Sequence, residues 1–266
     1  MQPTRHIARP MAELIDDGKG VPMAARSQGH WQVHCEWGLC GLRALAPRSD
    51  VVVIVDVLSF STCVEIAASR GAVVFPLAWR GARAVGFAEE VGAELAGPRG
   101  QATFSLSPAS FLHSVPGTRV VLPSPNGAAL SLSASQGLVF AGCLRNAAAV
   151  ARAIQAVGQR VLVLPAGERW PDGSLRPCVE DWLGAGAILD TLSGAFSPEA
   201  EAARAAFRAV AAELPRLLFD CVSGRELVGR GYRQDVELAA ELNVSDAVPA
   251  LRDGAYRRLD IAQGTV

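Results

Sequence analysis

Five consecutive β-branched residues, Val51-Val52-Val53-Ile54-Val55, run directly towards an aspartate, Asp56. Side chains alternate between the two faces of a strand, so an unbroken apolar run describes a strand covered on both faces. That requires helices above and below a sheet. Similar runs recur, predicting strands at Val51–Val57, Ala72–Leu77, Arg119–Pro123, Leu138–Gly142 and Arg160–Pro165. Between them, Ala-rich stretches predict helices near Thr62–Ser69, Ala82–Val91, Gly127–Ser135 and Asn146–Val157. Such alternation implies an α/β fold with a largely parallel or mixed sheet sandwiched by helices.

Further on, Val179–Leu192 reads as a core-packed helix. Pro198–Leu214 reads as an amphipathic helix ending at Pro215, with another helix near Asp235–Leu242 and a short closing segment. This last third is expected to cover one face or end of the sheet and to carry fewer reactive groups. Residues 1–29 hold prolines, glycines and scattered charges without periodicity, so they are expected to form a loose tail. Residues 30–266 would then be the α/β domain, with division into two subdomains left open.

Charge is nearly balanced, 25 Lys+Arg against 26 Asp+Glu, which argues against a general nucleic-acid binder. No apolar stretch approaches the roughly 20 residues of a membrane helix, and no apolar core of a secretory signal stands at the start. A cytoplasmic protein is expected, its six cysteines reduced and mostly buried. His30, His34, Cys35 and Cys40 fit no standard zinc spacing. In a strand His34 and Cys35 would point apart, so a structural reading is preferred.

In open α/β sheets ligands bind beyond the carboxyl ends of strands. The groups delivered there are Asp56 through Thr62, Ser124 through Gly127, Cys143 through Asn146, and Ala166-Gly167-Glu168 leading towards Glu180-Asp181. Asp56, ending an apolar run, needs a metal, a cation or backbone donors. Thr62 and Glu65 fit a capping box, yet hydroxyls at a helix entry, such as those of Ser61 and Thr62, also suit an anion. Asn126-Gly127 is either a turn or a close backbone approach to a ligand. Asn146 reads as an N-cap, and Arg145 beside it as a phosphate partner or a solvated arginine. Adjacent helical residues diverge by about 100°, so at most one of Glu180 and Asp181 should ligate an ion. No GxxxxGK loop occurs, and Leu58 stands where a haloacid-dehalogenase phosphatase needs its second aspartate.

Taken in order, IVDVLSFSTCVEIAASRGA (Ile54–Ala72), VVLPSPNGAAL (Val120–Leu130), AGCLRNAAAVA (Ala141–Ala151) and PAG…VEDWLGAGAI (Pro165–Ile188) resemble the 2-phosphosulfolactate phosphatase family. The resemblance implies that family's mixed α/β fold. It also implies a Mg²⁺-dependent acid phosphatase acting on 2-phospho-3-sulfolactate, on the route to coenzyme M. It assigns catalytic roles to Asp56, Ser61, Thr62 and Asn126, and Mg²⁺ to Asp56 with Glu180 or Asp181. Ser59, Arg99, Ser124, Gly127, Arg145 and Asn146 are the expected substrate contacts. The expected partner is a small phosphorylated organic acid, with homo-oligomerisation left open.

Two departures stand out. The family's arginine after Asp-Val-Leu is Ser59 here, and its Gly-Glu-Arg and Gly-Asn-Ser-Pro stretches survive as Gly97-Pro98-Arg99 and Ser105-Leu106-Ser107-Pro108. On that basis recognition of the sulfonate end is expected to weaken, favouring another small organic phosphate. The alternative is a non-catalytic binder of organophosphates or organosulfonates that keeps the fold.

Overall fold

The computed structural model describes residues 31–79, 81–134 and 137–259. The expected tail, residues 1–29, lies outside them. Among the described residues, nine strands form one sheet in the order β1-β7-β2-β6-β10-β11-β3-β5-β4. Their ranges are β1 Val33–Cys35, β2 Val51–Val55, β3 Val73–Leu77, β4 Glu94–Leu95, β5 Arg119–Pro123, β6 Leu138–Gly142, β7 Val161–Pro165, β10 Pro249–Arg252 and β11 Ala255–Arg258. A separate hairpin pairs β8 (Glu168–Arg169) with β9 (Leu175–Arg176).

The helices are α1 Gly38–Leu45, α2 Phe60–Ser69, α3 Ala82–Glu90, α4 Gly127–Ser133, α5 Ala147–Val157, α6 Val179–Thr191, α7 Pro198–Val210, α8 Leu214–Asp220, α9 Val222–Gly229 and α10 Arg233–Ala239. The apolar run behaves as its composition requires: every residue of β2 is fully buried. Val51, Val53 and Val55 join one core with the small residues of α5 and α6. Val52 and Ile54 join the opposite core with Leu42, Phe60 and Val64. The sheet is therefore sandwiched, and α/β is the observed class.

The sheet is mixed for a specific reason. β1, β7, β2 and β6 are mutually parallel, as are β3, β5 and β4. Between the two groups lies the β10–β11 hairpin, antiparallel to β6 on one side and to β3 on the other. One antiparallel step more than an even number reverses the second group relative to the first. The two groups of strands therefore run in opposite directions, yet the turn after β5 still meets the turns after β2 and β7, through Gly127 to Asp56 and Asn126 to Glu168.

Two other expectations change. The helix forecast to stop at Pro215 ends at Val210, and Pro215 instead sits in the first turn of α8. Proline is tolerated there because those N–H groups have no intrahelical partner. The closing segment is the central hairpin itself. Arg252 pairs with Ala255, and the two residues between, Asp253 and Gly254, both have positive φ (48° and 75°), the conformation of a tight primed turn.

Candidate active site

Strand β2 ends at Val55, and Asp56 opens the turn into α2. Its carboxylate accepts from the Phe60 N–H (3.1 Å) through Oδ1 and from the Gly127 N–H (2.9 Å) through Oδ2. The first bond closes the turn; the second fastens the β5–α4 turn to the end of β2. Asp181, in the first turn of α6, does the same work on the other side. It accepts from Val57 N–H (2.7 Å) and Gly167 N–H (2.9 Å). Two buried carboxylates thus tie together four chain segments.

Burial raises the Asp56 carboxyl to about 6, with the fields of Glu168 and Glu180 adding to the rise. Asp181 is also pushed well above its ordinary range, first by burial and then by Asp56 and Glu180. Glu180 is buried against the Cys221 thiol. These acids feel one another's charge, which is the electrostatic signature expected near functional sites.

Several expected ligand contacts are turned inward instead. Ser61 Oγ donates to Ile54 O (2.9 Å) and accepts from Asp56 N–H (3.1 Å), while Thr62 Oγ1 donates to Val57 O (2.7 Å). Both side chains are fully buried, so their hydroxyls hold the strand-to-helix turn rather than face a phosphoryl group. The capping box does not form. The helix starts at Phe60, and Glu65 binds Arg145 (2.5 Å). Arg145 is consumed by Glu65, Glu241 and the Leu238 carbonyl. Asn146 precedes α5 as expected, but its side chain is fully buried. It accepts from Cys143 N–H and donates to Ala141 O and Ala247 O. Ser124 is buried and accepts weakly from Asn126 N–H (3.4 Å). The Gly127 amide is spent on Asp56, and a Cβ at Gly127 would lie 2.7 Å from Asp56 Oδ2 and overlap the Phe60 ring. That glycine serves close packing rather than approach to a ligand.

Beside this cluster opens a cavity of about 500 Å³. Four arginines line it: Arg99, Arg169, Arg176 and Arg230, with Glu168 and Glu226 as the acids of the lining. Arg99 is held by Asp235 (3.5 Å), lies over the Tyr232 ring, and donates from Nη2 to Ser59 Oγ (3.0 Å). Arg176 reaches Ser223 Oγ (3.3 Å). Glu168 is joined to the β5–α4 turn through Asn126 Nδ2, which donates to Oε2 (2.9 Å). The lining is therefore net positive and rich in planar donors, which suits a small molecule bearing more than one anionic group.

The profile of the 2-phosphosulpholactate phosphatase family matches residues 43–254. The chain belongs to this family. A 2-phosphosulfolactate phosphatase from Methanothermobacter thermautotrophicus is 30% identical over 219 residues, covering 80% of this chain and 91% of that protein. A protein named probable 2-phosphosulfolactate phosphatase from Carboxydothermus hydrogenoformans is 30% identical over 211 residues, covering 76% and 86%. The family matched is the one the sequence motifs resemble, and its relatives are named as phosphatases.

Of the residues expected at the site, Asp56, Gly127 and Asp181 are brought together by hydrogen bonds, and Ser59 meets Arg99. Arg145 and Asn146 are engaged elsewhere. Sequence reasoning missed Arg169, Arg176, Ser223, Glu226 and Arg230. It also gave no role to Glu168, although the position after Gly167 at the end of β7 was in view. Ser223 and Glu226 come from α9, a helix with no strong periodic signal, and Arg230 follows its last residue. Among the described residues no helix is long and apolar enough to cross a membrane, and no three His, Cys, Asp or Glu side chains converge as a metal cage.

Proposed function

We propose that this chain is a phosphoric monoester hydrolase acting on a small organic phosphate with a further acidic group, 2-phosphosulfolactate being the reading that its relatives' names favour. The observation that carries this is the arginine-lined cavity of about 500 Å³ directly beside the acidic turn at Asp56. Such a lining offers guanidinium forks to a phosphate and to a second anionic group, with Arg99 and Arg230 braced by Asp235 and Glu226.

The donor set suits Mg²⁺. Asp56, Glu180 and Asp181 offer only oxygen, and each amide-bonded carboxylate oxygen keeps a second lone pair. Burial first, and then the repulsion of neighbouring acids, raises the carboxyls of Asp56 and Asp181, and a divalent cation would relieve that repulsion. Mg²⁺ usually takes one or two carboxylates and completes its shell with water and substrate phosphate, so a preformed cage is not needed. Asp56 with one of Glu180 or Asp181 would hold it. Once bound, the ion would polarise the phosphoryl group and offset its charge. The protein's own part is to bind the anionic groups through Arg99, Arg169, Arg176 and Arg230, and to keep the Asp56 turn rigid through Ser61 and Thr62.

The test is hydrolysis of a panel of phosphomonoesters, with and without a carboxylate or sulfonate, each in Mg²⁺ and in EDTA. Metal-dependent release of phosphate, fastest with the doubly acidic esters, is expected. Tight binding of the same compounds with no release would identify a binding protein instead.

A further inference from the structure

Among the described residues, Glu168 alone both lines the cavity and hydrogen-bonds the β5–α4 turn that Asp56 holds through Gly127. Its backbone is fixed from both sides. Gly167, at φ 66°, gives its N–H to Asp181, and a Cβ there would meet Arg176 O at 2.8 Å. Glu168 itself pairs with Arg176 across the β8–β9 hairpin. The other acids of the region are less suited to take a proton from a water in the cavity. Asp56 and Asp181 have both oxygens on backbone amides, and neither lines the cavity. Glu226, on the lining, is exposed and paired with Arg230 (3.1 Å).

We propose that Glu168 is the catalytic carboxylate of this site and that Asn126 is its positioning residue; this rests on the phosphatase reading above. The Asn126 amide occupies Oε2 and fixes the plane of the carboxylate, leaving Oε1 to meet the attacking water. In the step, the water oxygen forms a bond to phosphorus while its proton passes to Oε1. The ester P–O bond breaks, and its electron pair stays on the alcohol oxygen. Glu168 then returns the proton to that oxygen, so the products are inorganic phosphate and the free alcohol. The charges facing Glu168 are Arg176 on the paired strand, Arg169 beside it, and Arg99 across the cavity with the Arg230–Glu226 pair. Behind it lie Asp56, whose proton its field helps retain, and the Cys178 thiol.

The experiment compares parent, Glu168→Gln, Glu168→Asp and Asn126→Ala in full-length protein. It reads kcat, KM, and calorimetric binding of Mg²⁺ alone and of inorganic phosphate. Glu168→Gln should lower kcat by about a hundredfold or more, with KM and both binding constants nearly unchanged. Asn126→Ala should lower kcat about tenfold with KM nearly unchanged, because the carboxylate loses the donor that fixes its plane. If Glu168→Gln does not fold, Glu168→Asp decides: a large loss in kcat with KM nearly unchanged is expected. Unchanged kcat in either folded Glu168 variant, or loss of Mg²⁺ or phosphate binding in step with kcat, overturns the assignment. A folded parent that hydrolyses no phosphomonoester overturns the phosphatase reading instead.

Discussion

Arg99 donates from Nη2 to Ser59 Oγ at 3.0 Å, bringing a guanidinium to the turn position where the family pattern carries an arginine of its own. The side chain arrives from a different segment and is braced by Asp235 and Tyr232. Glu168 stands in the same cavity, so a carboxylate is present there too, although Pro98 replaces the family's acid next to Arg99. Arg99 is the arginine that survives from the family's Gly-Glu-Arg, so one guanidinium serves this turn where the family pattern carries two, and the cavity's carboxylate comes from Glu168 rather than from position 98. Arg99→Ala should raise KM for a doubly acidic phosphoester by about 10- to 100-fold, the worth of roughly 1.5–3 kcal/mol for a hydrogen bond to a charged group. Ser59→Arg should give no gain, since it adds a second guanidinium against the first. Improved turnover in Ser59→Arg would show that Arg99 does not fill the role.

Asp56 gives the protein a pH dependence of unusual sign for a carboxylate. Its ordinary value is 3.8, and in the fold it is about 6. Below the lower value both folded and unfolded chains hold the proton, and nothing is lost. Between the two only the folded chain does. Above the higher value the fold carries a full buried charge, so this group's contribution falls as pH rises from about 4 to 6. Asp181 acts in the same direction. Asp56→Asn has no proton to lose, so the difference in Tm, variant minus parent, should rise across that window. Mg²⁺ should raise the parent's Tm more at pH 7.5 than at pH 4.5, with EDTA reversing the effect. It should do little to Asp56→Asn. A flat difference curve, or a metal effect independent of pH, would show that Asp56 is not the coupled group.

Much of the fold was legible because it follows from local pattern. β5 and β6 fall on their forecast residues, Arg119–Pro123 and Leu138–Gly142, since apolar runs flanked by turn residues leave little choice. What escaped was long-range. Nothing local says that Pro249–Arg258 inserts between β6 and β3 and reverses half the sheet, although Asp253-Gly254 is a strong hairpin signal in itself. The site was legible at its acids, because a carboxylate ending a buried strand must be satisfied somehow. It was not legible at its arginines. Arg176 and Arg230 look like any surface cation until a hairpin and a helix bring them to one cavity. Ser61 and Thr62 show the converse: correct position, but hydroxyls already used by the backbone.

Asn146 separates structural from chemical roles. Its amide satisfies Cys143 N–H, Ala141 O and Ala247 O with no exposed surface, linking β6 to the segment that leads into β10. Asn146→Ala should cost about 2–3 kcal/mol of stability by leaving buried groups unpaired, with kcat and KM of the folded fraction unchanged. Denaturant midpoints alongside kinetics test this. Altered KM in a stable variant would return Asn146 to the substrate site.

Gly127 offers the sharpest contrast between packing and ligand approach. A Cβ there would overlap the Phe60 ring and lie 2.7 Å from Asp56 Oδ2, and both neighbours are fixed. Phe60 is fully buried in the core against Tyr256, and Asp56 is held by the N–H of Phe60 as well as that of Gly127. Neither can retreat without breaking the turn that orders the site. Gly127→Ala should therefore destabilise the fold by about 1–3 kcal/mol, the usual cost of overpacking. It should also lower kcat, because the β5–α4 turn carries Asn126 and through it Glu168. Were the glycine there to admit a ligand to the amide, the alanine variant would keep its stability and lose only phosphate affinity. Paired measurement of urea midpoint and inorganic phosphate binding distinguishes the two, and a stable variant that no longer binds phosphate would sink the packing account.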